Sequence, residues 1–265
     1  AYLETCAAVG AGFFSQRMNQ LTCNARYMDE VERVLYNNVL TGVSLSGDKY
    51  TYQNPLNTDK PDRWEWHVCP CCPPMFLKIM AAMPGYIYAY QGDNVYVNLF
   101  IGSEVRVPVG KSNSVRLKQL TSYPWHGAVS IQVNPDKAST WAQGTENPYD
   151  LYQSNLKAPV KLKVNQEDVL LRIVDGYAEI NREWKKGDHI ELELPMQPRL
   201  ITANKAVENL RGQVALASGP IIYCFEDADN PELQTFKLQA QTPLELSHDS
   251  NLLNGVNIIK CQGDI

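Results

Sequence analysis

The sequence predicts a multi-domain α + β protein with a helical part over residues 1–93 and an antiparallel β-sandwich over residues 94–265. Two observations predict this division. In the first ninety residues, apolar side chains recur at three- and four-residue steps, as on one face of an amphipathic helix. After about residue 93 they alternate with polar ones, as on half-buried strands, and turn signals separate the runs. With 265 residues, the chain is long enough for two domains.

The helical part is predicted to contain three helices. They cover residues 2–20, 25–41 and 75–83. Gly42 is a stop signal for the second helix, and the prolines Pro73 and Pro74 suit the first turn of the third. A short hairpin is expected over residues 45–52, followed by a polar, proline-bearing loop.

The second part is predicted to consist of short strands joined by turns such as Lys186-Gly187-Asp188. An array of strands at this spacing is typical of an antiparallel β-sandwich. The predicted strands cover residues 95–101, 105–109, 115–120, 129–133, 160–164, 169–173, 178–181, 190–194, 213–217 and 221–225.

Composition and charge exclude some partners. The formal net charge is −5 at pH 7, whereas nucleic acids and anionic membranes favour basic surfaces. We find no apolar run near the ~18 residues that a membrane helix needs, so neither partner is predicted. Residue 1 lies inside the first predicted helix, and the chain stops just after a strand-like run. We therefore expect an internal piece of a longer protein, and neither compartment nor oligomeric state is predicted.

Cysteines carry the strongest chemical signal. The chain has seven, an odd number in a sequence much longer than a disulfide scaffold. Cys71 and Cys72 are adjacent, so both thiols can reach one soft metal ion, and the helix that follows favours negative charge at its start. Cys69 is either a third ligand or a bystander. The remaining isolated cysteines, Cys23, Cys224 and Cys261, are expected to be small core residues, Cys224 within an apolar strand.

Glu4 and Cys6 are the best further ligands, because a zinc site usually has four. Two residues apart on a helix, their side chains point about 200° away from each other. The pair can therefore share a metal only where the backbone is non-helical or at the start of a helix. Spacing alone does not decide between these cases.

The motifs of this chain resemble those of the bacterial β-L-arabinofuranosidases of glycoside hydrolase families 127 and 146. The combination of Glu-Thr-Cys with Cys-Cys-Pro-Pro is the most specific part of the resemblance, which covers nearly the whole chain in order. Its helical segments are Ala1-Tyr2-Leu3-Glu4-Thr5-Cys6-Ala7, Glu32-Arg33-Val34-Leu35-Tyr36-Asn37, Tyr52-Gln53-Asn54-Pro55-Leu56 and Cys71-Cys72-Pro73-Pro74. Its later segments are residues 177–188, 194–196 and 214–224.

The resemblance implies the last helices of an (α/α)6 barrel followed by β-sandwich domains. It also implies a zinc ion held by Glu4, Cys6, Cys71 and Cys72, with Cys71 as the catalytic nucleophile of a retaining glycosidase. Tyr52 matches a tyrosine that lines the sugar pocket. The implied substrate is an arabinose-containing oligosaccharide or glycan.

One catalytic role is not filled by this chain. In the family the acid/base glutamate lies upstream of the Glu-x-Cys motif, so the chain alone is expected to be an incomplete enzyme. Glu32 is expected at the helix surface or behind the metal ligands, and Glu65 beside the cysteine loop. His67 is interpreted either as a contact to substrate or metal or as a hydrogen-bonded loop residue. Two alternatives stay open, a carbohydrate-binding scaffold with structural zinc and a disulfide-bonded lectin.

Overall fold

A computed structural model describes residues 4–58, 63–136, 140–143, 152–154, 160–226, 230, 237–239 and 242–263. The chain forms two compact units. The first unit comprises Ala1–Tyr123, Ala128–Pro148 and Lys161–Glu193, and the second comprises Pro124–Gly127, Tyr149–Val160 and Leu194–Ile265.

The three predicted helices are present. They are α1 (Thr5–Thr22), α2 (Arg26–Val34) and α3 (Cys72–Ala82). Helix α2 continues through a π-helical turn, Leu35–Val39, and a 3-10 turn, Leu40–Gly42, so the segment ends at the predicted Gly42. Helix α3 begins before its predicted start, because Pro73 and Pro74 lie inside its first turn, where a missing N–H costs nothing. No described helix is both long and apolar enough to cross a membrane.

Short strands follow α3 in the described part of the chain. They are β1 (Tyr88–Gln91), β2 (Asn94–Val97), β3 (Ser103–Val109), β4 (Asn113–Thr121), β5 (Ala128–Pro135), β6 (Thr140–Gln143), β7 (Tyr152–Ser154), β8 (Lys161–Val164), β9 (Glu167–Asp168), β10 (Arg172–Val174), β11 (Tyr177–Ile180), β12 (Asp188–Glu193), β13 (Arg199–Ala203), β14 (Val214–Ser218), β15 (Ile221–Tyr223), β16 (Leu244–Asp249) and β17 (Val256–Cys261). Two further 3-10 turns cover Met83–Gly85 and Glu208–Leu210.

The strands form mostly antiparallel sheets. The first unit contains a five-stranded sheet, β1-β2-β6-β11-β10, and a six-stranded sheet, β3-β4-β5-β12-β8-β9. The second unit contains a four-stranded sheet, β15-β14-β13-β7, and the hairpin β16-β17. Every described pairing is antiparallel except that of β2 with β6. The mixed α/β architecture with many antiparallel sheets is therefore confirmed.

The predicted strand over residues 95–101 is shorter than expected. Pairing stops at Val97, and the N–H groups of Asn98 and Leu99 both donate to the carbonyl of Ile87. Leu99 and Phe100 are nevertheless buried. The alternation of apolar residues thus continued past the point where the backbone leaves the sheet.

The helices share one apolar core, which brings the starts of α1 and α3 together. An added Cβ at Gly12 of α1 would lie 3.4 Å from side-chain carbons of both Val34 and Ile79, so the three helices approach closely there. Gly12 and Ile79 each lie two turns after the first residue of their helix. Buried members of this core are Val9, Met28, Val31, Val34, Leu35, Val39, Ile79, Met83 and Leu99.

Glu32 of α2 does not take the helix-surface place, which was one of the two that the sequence left open. The Tyr123 hydroxyl, from the segment after β4, donates a hydrogen bond of 3.1 Å to Glu32 Oε2. Burial raises the pKa of Glu32 to about 7, although the bond from Tyr123 and the charge of Arg33 oppose the rise. Tyr123 also contacts the rings of Tyr36 and Phe100 edge-on, so the carboxyl faces aromatic side chains.

We expect Glu32 to make stability depend on pH. Its folded-state pKa lies above the ordinary value of 4.5, so its contribution is complete below pH 4.5 and is lost as pH rises to about 7. Glu32→Gln should match the wild type at pH 4 and exceed its stability at pH 8 by about 1–3 kcal/mol. Urea denaturation at the two pH values measures the difference.

A second variant, Tyr123→Phe, tests the same pH dependence. Tyr123→Phe removes the hydrogen bond that favours the ionised form of Glu32, so it should lose more stability at pH 8 than at pH 4. An equal gap between Glu32→Gln and the wild type at both pH values would contradict the assignment.

Candidate metal centre

The start of α1 resolves the spacing problem of Glu4 and Cys6. Glu4 is the N-cap residue, with an extended backbone (φ −70°, ψ 134°), and the helix begins at Thr5. The Thr5 N–H donates to the carbonyl of Tyr52 at 2.9 Å, and Glu4 forms an isolated antiparallel bridge with Gln53. Because Glu4 is not helical, its side chain can turn to the same side as that of Cys6.

The start of α3 supplies the adjacent cysteines. Cys71 is the N-cap residue and Cys72 is the first helical residue, with two prolines in the first turn. Cys72 is 1% exposed, whereas Cys71 is half-buried. A helix N-terminus stabilises negative charge, so the start of α3 suits a thiolate once a cation is bound.

The two helix starts bring four predicted site residues together. The ligand atoms of Glu4, Cys6, Cys71 and Cys72 all lie within 4.8 Å of one another. Glu4 Oε1 accepts hydrogen bonds from the Cys6 and Cys71 thiols, the latter at 2.9 Å. The Sγ atoms of Cys6 and Cys71 are 3.3 Å apart, and those of Cys71 and Cys72 are 3.9 Å apart. We call these four residues the thiol–carboxylate cluster; it could hold a metal ion.

The electrostatics of the cluster fit a cation. Burial, together with a smaller effect of the neighbouring Glu4 carboxylate, raises the pKa of Cys6 and of Cys72 to about 11. Burial and the bond to Glu4 raise the pKa of Cys71 still more. The thiols of the protein alone are therefore protonated at neutral pH. A coordinated cation reverses this, because a metal-bound thiol is deprotonated.

Tyr52, whose carbonyl accepts the Thr5 N–H, belongs to a group of stacked rings that the sequence did not reveal. The His67 ring is 4.5 Å from that of Tyr52 and 4.3 Å from that of Trp64, with interplanar angles of 29° and 7°. Instead of the regular hairpin expected over residues 45–52, Tyr50 bridges Val43 on one side and Trp64 on the other. We call Tyr52, His67 and Trp64 the aromatic stack.

His67 itself is a hydrogen-bonded loop residue, one of the two interpretations left open. Its Nδ1 accepts a bond of 3.1 Å from the Cys69 N–H. Its own N–H donates to the Tyr50 hydroxyl at 3.0 Å.

The other cysteines lie outside the thiol–carboxylate cluster. Cys69 is exposed and is not one of its four members. Cys23 and Cys261 are half-buried. Cys224 is exposed, which corrects its predicted place in the core: β15 ends at Tyr223, so Cys224 lies just beyond the paired strand.

Comparison with known families gives three consecutive matches. Residues 1–85 match the β-L-arabinofuranosidase GH127 catalytic domain, residues 94–196 the GH127 middle domain, and residues 198–258 the glycoside hydrolase family 127 C-terminal domain. Together the matches cover nearly the whole chain. The catalytic-domain match covers the helices, and the other two matches cover most of the strands.

Individual relatives agree with these matches. A non-reducing end β-L-arabinofuranosidase of Bifidobacterium longum subsp. longum is 30% identical over 97% of this chain and 41% of its own length. A solved GH127 β-arabinofuranosidase is similar with a TM-score of 0.93 at 35% identity, over 99% of this chain and 43% of that one. A GH127 β-L-arabinofuranosidase from Geobacillus stearothermophilus T6 gives a TM-score of 0.90 at 35% identity, over 98% and 42%.

The fold and the ordered domain matches place this chain in the class of the glycoside hydrolases. The chain belongs to glycoside hydrolase family 127. It spans about two fifths of the length of the relatives described above.

Proposed function

We propose that the thiol–carboxylate cluster binds zinc and that Cys71 is the nucleophile of a retaining β-L-arabinofuranosidase acting on arabinose-containing glycans. The observation that carries the proposal is the convergence of one carboxylate and three thiols within 4.8 Å at two helix starts. The names of the relatives supply the substrate class.

Zinc suits this donor set. Cysteine sulfur and carboxylate oxygen are both common zinc ligands, and four ligands are the usual number. When bound, the ion supplies a thiolate at neutral pH without a separate base. Glu4, Cys6, Cys71 and Cys72 would hold it.

The reaction then follows the two-step logic of retaining glycosidases, with sulfur in place of the usual carboxylate. The Cys71 Sγ attacks the anomeric carbon of the terminal arabinofuranose. The bond to the leaving oxygen breaks, and that oxygen takes a proton from a general acid. Water next attacks the same carbon and gives a proton to the conjugate base of that general acid, the carbon–sulfur bond breaks, and arabinose leaves with retained configuration. Tyr52 lines the sugar pocket, and the general acid is the glutamate expected upstream of Glu4.

The same proposal covers the architecture. Residues 1–93 would be the C-terminal part of an (α/α)6 catalytic barrel, and residues 94–265 would form the β-sandwich region. The catalytic-domain match over residues 1–85 and the middle-domain match from residue 94 support this division.

A second function needs a test, because closed four-ligand zinc sites are typically structural. Cys72 is almost fully buried, and the other three ligands are half-buried, which suits such a site. The protein would then be a carbohydrate-binding scaffold without turnover.

One experiment separates the two functions. We expect the natural full-length protein, loaded with one zinc ion, to hydrolyse p-nitrophenyl β-L-arabinofuranoside and to release β-L-arabinose as the first product seen by NMR. A chelated sample should be inactive and should recover when zinc is added back. A protein that binds one zinc ion tightly and shows no turnover on any arabinofuranoside would favour the scaffold.

A further inference from the structure

His67 lies between two aromatic rings and is also bonded to the cysteine loop. Tyr52 and Trp64 both stack on it, with ring centroids 4.5 and 4.3 Å away. Two rings cannot occupy the same face of a small imidazole at these distances, so they cover its opposite faces. Stacked ring pairs contribute to stability beyond the area they bury, so the stack holds the imidazole in place.

The edge of the same ring carries a polar contact. His67 Nδ1 accepts the N–H of Cys69 at 3.1 Å, two residues along the chain and two residues before Cys71. An acceptor side chain that captures the N–H two residues ahead closes an Asx-type turn. The imidazole thus fixes the backbone that leads to the N-cap of α3.

The opposite side of the stack is tied to the other helix. Tyr52 accepts the Thr5 N–H through its carbonyl at 2.9 Å, and Thr5 Oγ1 donates to the carbonyl of Thr51 at 2.7 Å. Thr5 stands between Glu4 and Cys6 in the sequence. His67 therefore joins the segment anchored at the start of α1 to the loop that enters α3.

We propose that His67 is a positioning residue that fixes the Tyr52 ring and the Cys71 loop relative to each other, so that both contact the same sugar. The role rests on the proposed function, since it assumes that Cys71 attacks the sugar and that Tyr52 contacts it. Neither a metal ligand nor a proton donor is required of His67. A misplacement of about 1 Å between reacting groups can cost about 100-fold in rate, so such support has a measurable effect.

Two substitutions separate the two contacts. His67→Phe keeps a flat ring between Tyr52 and Trp64 but removes the acceptor for the Cys69 N–H. His67→Asn keeps an acceptor that can close the Asx-type turn but removes the stacking. Val68→Ala is the matched control, because Val68 is the next residue in the same loop and is 96% exposed.

The test measures kcat, KM and bound zinc for the natural full-length protein and its variants. We expect His67→Phe to lower kcat about 10- to 100-fold with a smaller change in KM, because the nucleophile loop loses its fixed position. His67→Asn should mainly raise KM, about tenfold, because Tyr52 loses its support. All variants should keep one zinc ion per chain, and Val68→Ala should match the wild type.

The contrary results are distinct from one another. Unchanged kcat and KM in both His67 variants, or zinc loss in either, would overturn the positioning role while leaving an active wild type. An equal fall of kcat in both variants that follows the lost fraction of folded protein would show a purely structural role and would also overturn it. If the zinc-loaded wild type itself is inactive, the proposed function fails, and the role of His67 fails with it.

Discussion

Replacing Cys71 by serine is expected to lower kcat/KM of the natural full-length protein by about 10³-fold or more on an arabinofuranoside. The Cys71 Sγ lies in contact with Glu4 and Cys6, so the substitution removes both the proposed attacking sulfur and one of the four proposed ligand atoms. Serine is close to cysteine in shape, but its hydroxyl is a poor nucleophile at neutral pH without an adjacent base. The loss should therefore appear mainly in kcat.

The variant alone does not separate ligand from nucleophile, so a labelling experiment accompanies it. An arabinofuranose analogue that carries a haloacetamide group should alkylate Cys71 and no other cysteine of the wild type. Peptide mass spectrometry identifies the labelled residue. Cys224→Ser is the control substitution, because that thiol is exposed and lies in the second unit. Its activity should equal that of the wild type. Metal-independent activity that survives Cys71→Ser would show that Cys71 is not the nucleophile.

The part of the site that could be predicted from the residues alone is the part formed by neighbours in the sequence. Cys71 and Cys72 are adjacent, so both thiols can reach one ion without any long-range contact, and Pro73-Pro74 marks a helix start on its own. The alternation of apolar residues in β4 and β5 is also local, and both strands were predicted. Glu4 and Cys6 were assigned as ligands from the family resemblance, because their spacing alone did not favour a shared metal.

Contacts between residues that are far apart in the chain could not be predicted from the sequence. Whether Glu4 faces Cys6 depends on where α1 begins, and the Thr5 N–H bond to Tyr52 helps to set that point from 47 positions away in the chain. The aromatic stack draws its rings from a loop without periodicity. Glu32 has a polar residue's place in the helical pattern of α2, and the hydroxyl that bonds its buried carboxyl comes from Tyr123, 91 residues later.

Removing the proposed zinc ion should have the second large effect, a loss of stability centred on the starts of α1 and α3. The thiol–carboxylate cluster joins these two helices, and a metal that binds only the folded protein stabilises it by mass action. Each tenfold rise in free zinc above the dissociation constant should add about 1.4 kcal/mol to the free energy of unfolding. We expect the melting temperature to rise steadily with zinc in a series of metal buffers.

Glu4→Gln and Cys72→Ala should reduce the stabilisation by zinc to different extents. Glu4→Gln keeps three thiols and the shape of the fourth side chain, so it should weaken zinc binding but keep a reduced slope of stability against zinc. Cys72→Ala removes the ligand that is 1% exposed and leaves a cavity, so it should lose both the zinc dependence and about 1–3 kcal/mol in the chelated protein. Hydrogen exchange should locate the chelation-induced opening in the first turns of α1 and α3. A melting temperature independent of zinc, with no metal found by elemental analysis, would mean that the four residues form a reduced thiol cluster and not a metal centre.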